Sequence, residues 1–177
     1  MEVDWNGEEI AAIDWKPLKS AMGSPGRLVA ELLELFIAGQ NSAHDELYEH
    51  VCHQFSHETA SFAASVVLAF NLERLSPRAR NQALYIIAIV ETSRRIHAKH
   101  GPAVPAPIAP LYQKATDTAL AAATASLAAQ DLSHEDSSAL LATVAALQGH
   151  ASLAMHLFLC PDPEALSCPE CGEPIAF

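Results

Sequence analysis

Charge is scarce in this chain and glycine scarcer still: 18% of its 177 residues are charged and seven are glycine. Half of the residues are apolar, which excludes a disordered chain and is enough to build one domain-sized core. Runs of β-branched residues are almost missing outside Ser65–Ala69. Little is therefore available for strands, while the dominance of Ala and Leu favours helix. Basic residues number 10 against 21 acidic ones, a net charge of −11. That balance repels phosphate backbones and anionic lipid and attracts basic surfaces, although a bias toward solubility accounts for it equally well. No apolar run reaches the roughly 18 residues that crossing a bilayer requires. The acidic opening, Met1 to Glu9, has no apolar core of the kind a signal peptide carries, so a cytoplasmic protein is expected. Four cysteines are too few for a disulfide scaffold in a chain of this length. Phosphate loops, glycine-rich dinucleotide fingerprints, nucleophile elbows and basic stripes with aromatics are also missing. The expectation is a protein that binds another protein, with no catalytic residues and no nucleic-acid or membrane partner.

What is present reads as helices in pairs. Trp15–Met22 forms one or two turns ended by Gly23, and Ser24-Pro25 supplies an N-cap and a first-turn proline. Leu28, Val29, Leu32, Leu33, Leu35, Phe36 and Ile37 then make a broad apolar face. Ser42 opens a second helix with Asp45 at the capping-box position. A third helix runs from about His57 to Leu75, and Ser76-Pro77 starts a fourth that reaches about His97. Four prolines between Gly101 and Pro110 preclude helix and leave an extended connector. An Ala-rich helix over 111–130, a helix opened by Ser133 and a last one over 151–159 complete the chain. Pairs at 26–38 with 43–55, 58–74 with 77–98, and 111–130 with 134–148 repeat about every 40 residues. That spacing predicts an all-α fold: a short HEAT-like solenoid of stacked antiparallel helix pairs over 1–177, carrying a tail at 160–177. A globular helical bundle is the alternative.

The most distinctive chemistry lies in that tail. Cys168-Pro-Glu-Cys171-Gly has the form of a zinc knuckle, but tetrahedral zinc needs four ligands and the tail supplies two. Cys160, Cys52 and nine histidines are the candidates for the rest. His150, at the start of the last helix, and His53, in the second helix, are the preferred pair. Structural zinc held by Cys168, Cys171, His150 and His53 is the expected cofactor, and a tail without metal the alternative. His50, Cys52, His53 and His57 crowd one stretch, and two of the histidines would share a face if the helix continued that far. Cys52 and His53 point apart on a helix and make no dyad. Asp45, Glu46 and Glu49 form one small acidic group, and Glu135 with Asp136 another; both suit a solvated face or a helix N-terminus.

Four stretches occur in a familiar order: Ile13-Asp-Trp-Lys-Pro-Leu-Lys-Ser-Ala-Met-Gly-Ser-Pro25, Glu46-Leu-Tyr-Glu-His-Val-Cys-His-Gln54, Leu147-Gln-Gly-His150 and Ser167-Cys-Pro-Glu-Cys-Gly172. Together they resemble a family of bacterial HEAT-repeat-like proteins common in genomes rich in polymorphic toxins. Those proteins open with a Trp-x-x-Leu segment, carry a His-Gln-Gly-type motif in an early helix and end in Cys-Pro-x-Cys-Gly. At Phe55 this chain departs from the pattern, which has glycine there, so the helix is expected to run differently. The resemblance implies a helical-repeat binding protein and suggests an immunity protein that neutralises a toxin, with a basic toxin domain as partner. A general scaffold or adaptor is the second reading, and a zinc-dependent regulator the third.

Overall fold

The computed structural model describes residues 8–40, 42–128 and 132–159, and all of their regular structure is helical. A short helix α1 (Glu8–Ala11) precedes α2 (Gly26–Ile37) and α3 (Ala43–Cys52). Then follow α4 (Thr59–Asn71), α5 (Pro77–Ile96), α6 (Ala109–Leu127), α7 (His134–Leu147) and α8 (Ala151–Leu159), with 3₁₀ turns at His53–Phe55 and Leu72–Arg74. Among the described residues there is no strand, only an isolated antiparallel bridge between Lys19 and Pro25.

Two of the predicted starts form as read. Ser76 Oγ accepts the Ala79 N–H ahead of Pro77, and Ser133 Oγ accepts the Asp136 N–H. Two others differ. Pro25, not Ser24, stands at the N-cap of α2, because Ser24 is held in a tight turn with Ser20 through its own N–H and carbonyl. Ser42 makes no cap bond, and Asp45 accepts from His44 instead of completing a capping box. The reciprocal box occurs at α4, which begins at Thr59 and not His57: Glu58 and Ser61 each bond the other's backbone.

Each of α2, α4 and α6 packs on the helix that follows it, and α8 lies against α7 and α5. Like members of successive pairs also touch: α4 packs on both α2 and α6, and α5 on both α3 and α7. Between these neighbours α4 is buried almost all round, as an apolar helix with no polar stripe must be. Ala115, Ala119 and Ala123 recur every fourth residue on α6 and are fully buried, small enough for close helix approach. Not all of the predicted face of α2 is covered. Leu35 is 40% exposed, whereas Val29, Leu32, Leu33 and Phe36 are buried. Trp15 is half-buried against the core beside α2. A Cβ on Gly26 would lie 2.7 Å from the Trp15 carbonyl, so only glycine lets this segment approach the helix so closely.

Helix α3 stops at Cys52, short of the predicted 55. Gln54 (φ 49°) and Phe55 (φ 57°) both take left-handed backbone, which glycine adopts freely and L-residues do not. Each of these residues costs of order 1 kcal/mol and persists because its surroundings hold it. Gln54 is exposed, so Gln54→Gly should stabilise the protein by about 0.5–1 kcal/mol in urea unfolding. Phe55→Gly should not, because the Phe55 ring packs against Phe158 with centroids 6.3 Å apart.

Candidate functional site

The histidine and cysteine stretch does not assemble into a centre. His50 Nδ1 lies 3.3 Å from Ser20 Oγ, and the His50 carbonyl accepts the Ala21 N–H, tying α3 to the N-terminal segment. Cys52 is buried beside Tyr48, and burial pushes its thiol well up, so it is a packing residue and not a thiolate. His53 pairs with Glu49, one turn back on α3. His150 precedes α8 and lines a cavity of about 740 Å³ with Arg94 and Arg95, an unfavourable neighbourhood for a cation. Cys160, Cys168 and Cys171 lie outside the described residues. Among the described residues no group of three or more His, Cys, Asp or Glu is placed to hold a metal ion.

His57 sits elsewhere, 5% exposed, between α4 and the end of α5. Ser93 gives its hydroxyl proton to the Phe55 carbonyl at 2.5 Å, so it accepts from His57 Nδ1 at 2.8 Å. That tautomer leaves Nε2 as a bare acceptor, buried and without a partner. Burial lowers the His57 pKa below 6.5; the Pro102 carbonyl works against that, while His97 adds to it. A base held neutral in the folded state stabilises above its unfolded pKa, and that stability is lost as pH falls through it. The urea midpoint should therefore fall as pH drops below about 6.5, and His57→Asn, which keeps the bond to Ser93, should flatten that part of the profile.

Sequence reasoning missed a second buried group. Glu91, 3% exposed, accepts from Arg94 Nε and Nη2 at 2.7 Å, from Arg95 Nε at 2.6 Å and from the Tyr112 hydroxyl at 2.9 Å. Burial pushes its carboxyl up, but the Arg94 hydrogen bonds and charge, with Tyr112 and Arg95, outweigh that and hold it below the usual carboxylate range. Burial pushes the Tyr112 hydroxyl well up, so it stays protonated as a donor. The local signal was a Glu inside an apolar helix with Arg at both the third and fourth positions beyond it.

The third feature is a groove of about 340 Å³ bordered by α3, α5, α7 and α8. Tyr85 and Phe158 meet edge to face there, with centroids 5.1 Å apart and planes at 86°. Tyr48 stacks on Tyr85 at 6.1 Å, and Phe55 touches Phe158, so the strained kink after α3 buttresses this aromatic row. The N-terminus of α7 brings Glu135 and Asp136 to the rim, and Asn81 Nδ2 donates to Asp136 Oδ1 at 3.1 Å. Glu135 belongs to the acidic pair read from sequence; the aromatic residues went unnoticed, since they stand far apart in the chain. Compared with protein-family models, curated proteins and solved structures, the chain has no match. Function must therefore be argued from these three features. The His57 and Glu91 groups turn inward and bond between elements. The groove is open, half-buried and acidic, with an apolar floor.

Proposed function

We propose that this protein binds another protein through the acidic, aromatic-floored groove, and that it acts as an immunity-type inhibitor of a basic toxin domain. The groove is the observation that carries this reading. It joins apolar contact surface to carboxylates in a chain of net charge −11, the combination that captures a basic partner by steering and then holds it by desolvated contact. A HEAT-like solenoid is the architecture proposed, supported by the way each helix pair packs on the next through like helices. The resemblance noted in the sequence points to an inhibitor over a general adaptor. The zinc tail is part of the proposal, with Cys168 and Cys171 as two of its ligands; elemental analysis of protein purified without chelator is the test, and absence of zinc rejects it.

The partner to try is a basic toxin domain at the C-terminus of a secreted protein, sought first among the genes beside this one. A stable complex is expected, with association slowing markedly as salt rises and dissociation changing less, since exposed charges act mainly on the encounter. Reversing Asp45, Glu46 and Glu49 together should slow association without unfolding the protein, because all three are exposed and Glu49 pairs with a half-buried His53 at the helix end. Dissociation that accelerates while association stays constant contradicts the steering role.

A further inference from the structure

The polar lining of the groove carries two carboxylates, Glu135 and Asp136, at the N-terminus of α7. His44 Nδ1 lies 2.9 Å from Asp45 Oδ1 at the α3 side of the groove, and its Nε2 is buried. Asp136 receives one N–H from Asn81 on Oδ1 and the Ser133 hydroxyl on Oδ2, so each oxygen keeps accepting capacity. Glu135 stands exposed beside it. Neither Lys nor Arg is among the described residues lining the groove. The floor is aromatic, with Tyr85 and Phe158 half-buried.

We propose, building on the protein-binding role above, that this groove receives an arginine side chain from the partner protein. A guanidinium is planar, carries five donors, forks onto carboxylates and stacks on ring faces, and is weakly enough hydrated to leave water for such a site. Tyr85 and Phe158 supply the rings, and Asp136 and Glu135 the carboxylates. A lysine would satisfy the carboxylates but has no plane to lay on a ring. An aliphatic side chain would cover the floor but bring no charge to Asp136 and Glu135 and no donor to their remaining accepting capacity. The volume, about 340 Å³, is at the small end for an enclosed ligand and suits one long side chain better than a folded element. The surrounding charge of −11 favours a cation from a distance.

The test uses the full chain, labelled for NMR, titrated with N-acetyl-arginine amide, N-acetyl-lysine amide and N-acetyl-norleucine amide. The arginine probe should shift the Asn81 side-chain amide and the Tyr85 and Phe158 rings saturably, with a dissociation constant near 1 mM, as one side chain on one groove allows. The lysine probe should bind several-fold more weakly and norleucine not measurably. Asp136→Asn, which keeps the shape, should weaken the arginine probe about tenfold, the effect of losing a charge-assisted hydrogen bond. Tyr85→Leu, which removes the ring, should do the same. Equal shifts from norleucine, or shifts that leave Asn81, Tyr85 and Phe158 unmoved, overturn the inference. A groove that ignores arginine in a protein that still captures its partner discards the arginine and keeps the binding role. A groove that takes arginine in a protein that captures nothing keeps the arginine site and removes its purpose.

Discussion

Glu91→Ala should lower the unfolding free energy by about 3 kcal/mol, the lower end of the range for removing one member of a buried ion pair. Glu91 itself is 3% exposed, and it is the shared acceptor of two guanidiniums and a buried phenol. Without it the Tyr112 hydroxyl loses that acceptor in the core, and two cations from one turn of α5 lose their shared counter-charge. The lower figure is chosen because Arg94 and Arg95 keep 34% and 39% of their side-chain surface, so water takes up part of the lost bonding. In a chain of this size that corresponds to a melting temperature roughly 10 °C lower. Glu91→Gln should lose less, since one oxygen still accepts. The carboxyl is held below its ordinary value of 4.5, so its contribution is present above that pH and lost as pH falls further. Glu91→Ala should therefore abolish that part of the acid-side slope, a signature that a purely steric defect would not produce.

Phe62→Ala should cost about 3–5 kcal/mol, the range for truncating a buried aromatic side chain. Phe62 is fully buried on α4, with edge contacts to His57 at 5.3 Å and Tyr112 at 5.2 Å. It stands between the two buried polar groups, so its loss leaves a cavity that lets water reach both. Urea unfolding of Phe62→Ala should show a lower midpoint, and Leu35→Ala, exposed on α2, should stay within about 0.5 kcal/mol of the parent. Comparable losses from both would mean that the core does not lie where α4 meets α5 and α6.

The helices were legible because local signals specify them. Ser76-Pro77 and Ser133 start helices through bonds to residues three positions on, and Pro102, Pro105 and Pro107 keep the connector out of a helix. Pro110, read as part of that connector, sits instead in the first turn of α6, where its missing N–H costs nothing. Ser24 and Ser42 carried the same local signal and failed, because a turn partner, Ser20, engaged the first, and the second lies in right-handed helical backbone and makes no cap bond. The site was less legible. His50, Cys52, His53 and His57 are dense in sequence, but a helix end at Cys52 and two left-handed residues send them toward Ser20, Tyr48, Glu49 and Ser93. Proximity along a chain is not proximity at a site. The groove shows the converse: Tyr48, Tyr85 and Phe158 meet only because α3, α5 and α8 do. Glu91 was half legible, since the Arg spacing is local but the burial depends on Tyr112, from another helix.

The functional claim is that this protein silences a basic toxin by occupying it. The most direct test expresses the C-terminal domain of a secreted protein encoded beside this one, if such a gene is found there, in a host cell, alone, with the parent protein, and with an Asp136→Lys variant. Growth arrest by the toxin domain, full rescue by the parent and weakened rescue by the variant are predicted. Growth arrest that the parent protein leaves unchanged would contradict the claim.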